Sequence, residues 1–292
     1  MVKIQQILWR IRFLVLESWG MHPAVITYTV VPFLRKIKDW REVFLIKKGF
    51  INVNRGKHSI SVTGLTFNYS RHLPIADIIS ILLSKNRFIN RNFIKNSALK
   101  MEGPYELGDV KLKDGDTVID IGANIGIFSI FSAKKIRSSG KVLSFEPIKE
   151  TRRFLNKNIE QNGLSNISIY PVALGENNRQ VIFSVNEDVL GDSTKLTEHE
   201  GGYNEEVRQF TLDLFIEENN VKNVNFIKAD IEGMERDMLR GAEHTIKKFK
   251  PKLAICIYHL PDDPEVIEKI IKGFVPEYKV VKTKTKLFAW YE

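Results

Sequence analysis

Residues 117–131, with the sequence TVIDIGANIGIFSIF, give the clearest indication of the fold. A short, largely apolar run is followed by a turn with glycines at 122 and 126, and then by a second apolar segment. Glycine lets the backbone turn tightly and approach a ligand without an intervening side chain. The pattern is typical of a strand, a turn and a helix in a parallel α/β sheet. We predict a strand over 117–121 and a helix over 125–136.

The alternation of strand and helix continues to the end of the chain. Further strands are predicted at 141–145, 166–172, 224–229, 252–258, 279–283 and 286–291, and helices at 149–162, 234–249 and 264–273. Nearly all-apolar strands separated by helices indicate a sheet covered on both faces. The predicted fold class is α/β: a doubly wound, mostly parallel, seven-stranded and Rossmann-like sheet whose last two strands form a hairpin. The stretch 185–206 lacks an apolar period and is predicted to be a loop that covers a substrate.

Composition excludes several classes of protein. The 292 residues are 43% hydrophobic and 27% charged, as in globular proteins, which excludes a disordered or collagen-like chain. Cys256 is the single cysteine, so the chain cannot form an internal disulfide or a thiolate metal cage, and we expect a cytoplasmic location. It lies within an apolar strand and is predicted to be a core residue. The apolar stretch 23–34 is about half the length that a bilayer requires.

Positive charge is concentrated before the α/β pattern. Residues 1–113 contain 19 Lys and Arg against 7 Asp and Glu, whereas residues 114–292 contain 25 against 28. We predict a basic α+β appendage at 1–105 and the α/β domain at 106–292. The appendage would contain an amphipathic helix at 4–14, a β-meander within 44–69 and a helix at 76–88.

The role of the appendage has several interpretations. Its charge suits an acidic partner such as nucleic acid or an anionic membrane surface, but a solvated lysine-rich surface has the same composition. The amphipathic segment 4–14 could dock on the protein, pair two chains or contact a membrane peripherally.

Ligand-binding residues are expected where the strands end, because open α/β sheets bind ligands beyond the carboxyl ends of their strands. The turn after the first strand lacks the dinucleotide fingerprint, since Asn124 and Ile127 occupy two of its glycine positions. Glu146 follows the second strand, 24 residues after Gly122, where an acidic side chain accepts both hydroxyls of a ribose. The alternative is that Glu146 caps the next helix. A site that binds a nucleoside but not a pyrophosphate is suited to S-adenosylmethionine.

Several motifs resemble the FkbM-type family of S-adenosylmethionine-dependent methyltransferases. They are DIGANIG at 120–126, SFEP at 144–147, VALGE at 172–176 and KADIEGME at 228–235. The resemblance covers about residues 100–292 and implies a class I methyltransferase fold with S-adenosylmethionine as cofactor. The implied cofactor-binding residues are Asp120, Gly122, Asn124, Gly126, Glu146 and Pro147. It also implies transfer to a hydroxyl oxygen of a sugar, a glycan or a small molecule.

Three further polar residues follow strands at the same edge. Asp230 and Glu232 come after the strand at 224–229, and His259 follows the strand at 252–258. Two carboxylates facing a histidine could abstract the acceptor's proton or hold one divalent ion. We predict the three as catalytic residues and predict no metal. The structural alternatives are a helix-capping Glu232, a hydrogen-bond-accepting Asp230 and a loop-holding His259.

A second function class is a nucleic-acid methyltransferase whose basic N-terminal region binds phosphate. The sequence after the strand at 224–229 is DIEG, not the Asn/Asp-Pro-Pro-Tyr motif of amino-methylating enzymes. We therefore expect a small-molecule or glycan acceptor, with nucleic acid as the alternative.

Overall fold

The computed structural model of the chain describes residues 51–54, 56–70, 78–82, 104–185 and 203–292. Several predicted elements lie outside this part of the chain. These are the amphipathic helix at 4–14, the first part of the β-meander, most of the helix at 76–88 and residues 186–202 of the predicted covering loop. Of the helix predicted at 76–88, residues 78–82 form one π-helical turn.

The described residues form strands and helices in an order close to the predicted one. The strands are β1 Ile51–Asn54, β2 Ser59–Val62, β3 Leu65–Asn68, β4 Thr117–Ile121, β5 Lys141–Phe145, β6 Ile167–Tyr170, β7 Ala173–Leu174, β8 Arg179–Val185, β9 Tyr203–Phe210, β10 Phe226–Ala229, β11 Lys252–Cys256, β12 Lys279–Lys282 and β13 Lys286–Trp290. The α-helices are α1 Ile127–Ile136, α2 Lys149–Gln161, α3 Leu212–Glu218, α4 Glu235–Arg240, α5 Glu243–Phe249 and α6 Asp263–Phe274.

The central sheet has seven strands in the order β12-β13-β11-β10-β4-β5-β6, which confirms the predicted fold class. Strands β4, β5, β6, β10 and β11 are parallel, and β13 runs antiparallel to both β11 and β12. The chain winds outward from β4 to β6 and then resumes at β10 on the other side of β4. This reversal opens a crevice at the carboxyl ends of β4 and β10.

The two faces of the sheet differ in character because side chains alternate along a strand. On one face, Ile119, Leu143 and Ile227 join a large apolar core with helices α3 to α6. On the other face, α1 covers a buried polar stripe. Ser129 of α1 donates to Asp120 and contacts the hydroxyl of Ser144. The buried polar groups of β4 and β5 therefore lie on the α1 face.

Two antiparallel elements accompany the central sheet. Strands β1, β2 and β3 form the predicted meander, and Asn158 of α2 hydrogen-bonds to Asn68 of β3 through both backbone and side chain. A second three-stranded sheet has the order β7-β9-β8. Among the described residues, no helix is long and apolar enough to cross a membrane.

Two secondary-structure predictions were wrong in part, and one helix was not predicted. The helix predicted at 234–249 is two helices: the Gly241 carbonyl accepts from the Asp213 amide, and the His244 and Thr245 amides at the start of α5 donate to the Asp213 carboxylate. The last residues of the predicted covering loop, 203–206, begin strand β9, whose backbone pairs with β8 although its sequence is charged. Helix α3, which begins at the Thr211 cap, was not predicted.

Candidate functional site

A cavity opens at the carboxyl ends of β4, β5 and β10, where the topology places the crevice. Six of the nine predicted site residues line it: Gly122, Asn124, Glu146, Pro147, Asp230 and Glu232. Gly126 lies at the end of the turn, where α1 begins, and Asp120 lies beneath the turn. His259 does not line the cavity but lies next to Asp230 and Glu232. The fold therefore brings the predicted residues of both groups to one edge of the sheet.

The glycine turn allows a very close backbone approach. Gly122 has φ +72°, and a Cβ there would lie 2.1 Å from the carbonyl oxygen of Asp230. Gly126 has φ +93° at the start of α1, where a Cβ would lie 2.5 Å from Leu155 Cδ1. Asn124 lies between them at φ +51° and faces the cavity. Only glycine fits position 122, which combines a left-handed conformation with a neighbouring backbone atom, whereas a side chain at 126 would be strained and would displace Leu155.

Glu146 is buried, and its two carboxylate oxygens have different partners. Oε2 accepts from the Asn124 amide at 2.9 Å, and Oε1 accepts from the Ile148 amide at 3.0 Å. Burial raises the pKa of Glu146 to about 7, against the lowering effect of these two hydrogen bonds. A carboxylate with unused acceptor capacity facing a cavity is suited to bind hydroxyl donors. The Glu146 side chain also holds the glycine turn against the end of β5.

Asp120 lies beneath the turn in a buried ion pair and does not line the cavity. Its Oδ1 lies 3.1 Å from Lys228 Nζ, and both side chains are almost fully buried. Lys228 also donates to the carbonyl oxygens of Ile121 and Gly122, at 3.2 Å and 2.7 Å. Burial would lower the pKa of Lys228, but Asp120 and Asp230 raise it above its ordinary value. The pair fixes the backbone of the turn from below.

Asp230 is held by two tyrosine hydroxyls. Tyr105 donates to Oδ2 at 2.6 Å, and Tyr258 donates to Oδ1 at 3.1 Å. Burial would raise the pKa of Asp230, but Lys228 and Lys286 hold it below its ordinary value. Lys286 is buried with its ammonium 4.4 Å from the centre of the Tyr105 ring. Asp230 is thus an ionised, fixed carboxylate at the cavity wall.

His259 lies among three carboxylates. Its Nε2 is 3.4 Å from Glu232 Oε2 and 3.7 Å from Asp230 Oδ1, and its Nδ1 is 3.1 Å from Glu235 Oε1. Burial would lower the pKa of His259, but Glu232 and Glu235 raise it to about 10. Glu235 is fully buried and also accepts from the Ile231 amide at 2.8 Å. Burial raises the pKa of Glu235 above its ordinary value.

Sequence reasoning missed three residues of this site. Glu235 was visible as the last residue of the motif KADIEGME, at the start of α4. Tyr105 and Lys286 had no local signal, because one precedes the sheet and the other opens the last strand of its antiparallel hairpin. Cys256, in contrast, is buried as predicted, and burial raises the pKa of its thiol.

The chain is similar to known methyltransferases over this region. Residues 120–277 match the family model described as the Methyltransferase FkbM domain. The protein Methyltransferase 1 of Beauveria bassiana (strain ARSEF 2860) is 27% identical over 149 residues, which are 44% of this chain and 59% of that protein. The match thus spans about three fifths of the length of this curated relative.

Solved structures to which the chain is similar include the methyltransferase FkbM of Methylobacillus flagellatus KT. It is 24% identical, with a TM-score of 0.47, over 62% of this chain and 44% of that chain. The S-adenosylmethionine-dependent O-methyltransferase of Thermotoga maritima is 15% identical, with a TM-score of 0.39, over 62% of this chain and 60% of that one.

The family match extends from Asp120, at the end of β4, to the residues that precede β12. It therefore includes more than half of the chain and every predicted site residue. The chain belongs to the FkbM methyltransferase family.

Proposed function

We propose that the protein uses S-adenosylmethionine to methylate a hydroxyl oxygen of a sugar, a glycan or a small molecule. The observation that carries this proposal is the pairing of Glu146 with the Asn124 amide at the wall of the cavity. It places a buried acidic acceptor beside a glycine turn, in a cavity that Asp230 and Glu232 also line.

The residues present fit the cofactor. Glu146 would accept the two ribose hydroxyls, because each of its oxygens already accepts one amide and retains a second lone pair. The turn from Gly122 to Gly126 would bring backbone close to the cofactor without side chains. Bound there, S-adenosylmethionine supplies a methyl group on a sulfonium, which becomes a neutral thioether when the carbon–sulfur electrons return to sulfur.

The acceptor side must align a hydroxyl and remove its proton. Glu232 suits the second task, since its side chain lines the cavity and remains 31% exposed. Its carboxylate would accept the hydroxyl proton. Asp230, with both oxygens fixed by tyrosines, suits the first task because a rigid acceptor orients a hydroxyl.

The charge at this wall supports an acceptor without phosphate. Asp230 and Glu232 line it, and a phosphodiester beside them would meet like charge at short range. A neutral polyol would instead donate hydrogen bonds to the same oxygens.

Calorimetric titration of S-adenosylmethionine tests the cofactor. We expect micromolar affinity for the wild-type protein and a loss of tenfold or more in Glu146→Ala, since a charge-assisted pair of hydrogen bonds is removed. Glu150→Ala is the matched control, because Glu150 is a partly exposed carboxylate on α2 that pairs with Arg153. Equal affinity of the two variants, or no heat with the wild type, would contradict the proposal.

Methyl transfer to candidate acceptors tests the substrate class. With a radiolabelled methyl donor, we expect label on glycosides and not on transfer RNA, and a reduced kcat in Glu232→Gln. Label on RNA would refute the assignment of the acceptor. An unchanged kcat in Glu232→Gln would refute the assignment of Glu232 as the group that accepts the proton.

A further inference from the structure

Lys286 brings a second buried ammonium group to the neighbourhood of Asp230. The residue is 1% exposed, and its Nζ has no hydrogen-bond partner among the described residues. Burial of a charge without hydrogen bonds costs stability, so buried lysines are rare unless their charge acts on another group. The groups that surround the ammonium of Lys286 indicate which group that is.

The hairpin between β12 and β13 places Lys286 on the same face of the central sheet as Asp120 and Lys228. The Lys286 amide donates to Thr283 Oγ1 at 3.0 Å, and its carbonyl accepts from the Thr283 amide at 2.8 Å, which fixes the start of β13. Leu287, like the strand neighbours of Asp120 and Lys228, joins the apolar core on the opposite face. Because side chains alternate along a strand, Lys286 lies on the face that α1 covers.

The ring of Tyr105 lies close to both lysine ammonium groups. Its centre is 4.4 Å from Lys286 Nζ and 5.3 Å from Lys228 Nζ, and both distances are within the range of cation–π attraction. Tyr105 is buried, lines the cavity and packs edge-on against Phe128 of α1. Lys228 also pairs with Asp120 and donates to two carbonyl oxygens, whereas Lys286 makes no hydrogen bond among the described residues. The charge of Lys286 is therefore directed at the Tyr105 ring.

The hydroxyl of Tyr105 connects this ring to Asp230, since it donates to Asp230 Oδ2 at 2.6 Å. An ammonium beside the ring of a phenol attracts its π electrons and strengthens the hydroxyl as a donor. The positive charges of Lys228 and Lys286 also attract the carboxylate directly and lower the pKa of Asp230. Lys286 thus favours the ionised form of Asp230 both through the ring and through its own charge.

We propose that Lys286 is a positioning residue of this site, which acts through the Tyr105 ring to keep Asp230 ionised and fixed in orientation. The inference rests on the proposed function only for the role of Asp230 as the group that orients the acceptor hydroxyl. An ionised carboxylate accepts hydrogen bonds and donates none, so Asp230 would favour a hydroxyl over a carbonyl or a carboxylate at this point. Tyr105 and Lys286 both lie outside residues 120–277, the segment that matches the family model.

Other titratable groups also surround Asp230. They come from β10, from the same loop, from α4, from β11 and from the segment after β11: Lys228, Glu232, Glu235, Cys256, Tyr258 and His259. A substitution of Lys286 leaves all of these side chains in place. A change in the titration of Asp230 in a Lys286 variant therefore reports the effect of that lysine.

Carbon NMR of the full chain, isotopically labelled at the aspartate carboxyl carbons, tests the proposal without cofactor or acceptor. The Asp230 resonance is the one that Asp230→Asn removes. In Lys286→Met, whose side chain is of similar length but uncharged, we expect this resonance to titrate at a higher pH than in the wild type. The Tm should not fall, because a buried ammonium without hydrogen bonds is replaced by a thioether. Lys282→Met is the matched control, since Lys282 lies on β12 and pairs with Glu268 at the surface.

A double-variant cycle tests the route through the ring. Tyr105→Phe keeps the ring beside Lys286 but removes the donor to Asp230. The change in titration caused by Lys286→Met should be smaller in the Tyr105→Phe background, because groups in one network are coupled. Equal changes in both backgrounds would show that Lys286 acts on Asp230 without the ring and would overturn this part of the proposal.

Methyl transfer measures the consequence for the reaction. Relative to the wild type, kcat/KM of Lys286→Met should be about tenfold lower at pH 5 and closer to normal at pH 8, where Asp230 is ionised in both proteins. The titration of Glu146 is common to the two proteins and cancels in this ratio. A ratio that does not change with pH would overturn the role of Lys286 in the reaction.

The NMR result decides the question separately from the proposed function. An Asp230 resonance that titrates in Lys286→Met as in the wild type would make Lys286 a structural residue, whatever its effect on Tm, and would overturn the proposal. Lys286→Gln, also uncharged, replaces Lys286→Met if that variant does not fold. A changed titration in a protein that methylates no hydroxyl would support the link between Lys286 and Asp230 and would refute the proposed function alone.

Discussion

A side chain on Gly122 would lie 2.1 Å from the backbone oxygen of Asp230. These two residues follow neighbouring parallel strands, β4 and β10, at the point where the sheet topology reverses. The absence of a single Cβ therefore allows the glycine turn and the loop that carries Asp230 and Glu232 to meet. This contact positions both halves of the site.

Gly122→Ala should destabilise the protein by about 3 kcal/mol, from the left-handed conformation and the forced backbone shift together. Gly163→Ala is the matched control, because Gly163 has φ +63° but no atom within 4 Å of an added Cβ. It should cost only about 1–2 kcal/mol. Urea unfolding measures both values. Equal losses of unfolding free energy would show that the close approach to Asp230 adds nothing to the cost of the left-handed conformation.

Glu146 should make stability depend on pH. Its pKa is about 7 in the folded protein, against the ordinary glutamate value of 4.5 that applies to the unfolded chain. Between these two pH values the folded chain therefore retains a proton that the unfolded chain has lost. The contribution of Glu146 is thus fully present below about pH 4.5 and is lost as the pH rises to about 7. The total is about 3 kcal/mol. Urea unfolding from pH 4.5 to 8 should show this decline.

The comparison variant for this prediction is Glu146→Gln, which cannot ionise. The free energy of unfolding of this variant will differ from that of the wild type, because the side-chain amide introduced at position 146 would face a backbone amide. The slope of that free energy against pH should nevertheless be smaller than in the wild type. Parallel slopes for the two proteins would mean that Glu146 does not retain its proton in the folded state.

Asp120→Asn should destabilise the protein by about 3–5 kcal/mol, because the buried ammonium of Lys228 would lose its ion-pair partner. The matched control is Asp114, which forms an exposed ion pair with Arg137. Asp114→Asn should change the free energy of unfolding by less than about 1 kcal/mol. Thermal and urea unfolding report the difference, and a mild effect of Asp120→Asn would argue that Lys228 is neutral or solvated.

Asn158→Ala should loosen the small sheet β1–β3 from the α/β domain. The Asn158 amide joins α2 to Asn68 and also donates to the Ile125 carbonyl in the glycine turn. Its loss leaves buried backbone groups unsatisfied and should cost about 3 kcal/mol. Asn156→Ala, on an exposed position of the same helix, should cost almost nothing. Proteolysis within 51–70 should accelerate only in the Asn158 variant.

Much of the fold follows from local pattern. The strand at 117–121 and the strand at 141–145 have the bounds that their apolar runs predict, because strands buried on both faces must be apolar. The helix break at Gly241 could not be predicted in the same way. It coincides with hydrogen bonds to Asp213, which is distant in sequence and becomes adjacent only in the folded chain.

Residue type and spacing were enough to predict the α/β alternation, the glycine turn and the positions of Glu146, Asp230, Glu232 and His259 at strand ends. The partners of these side chains depend on packing. Asp120 forms a buried ion pair with Lys228 beneath the turn and does not line the cavity, whereas Lys228 does. Glu235 meets His259 only because packing brings the start of α4 against the segment that follows β11.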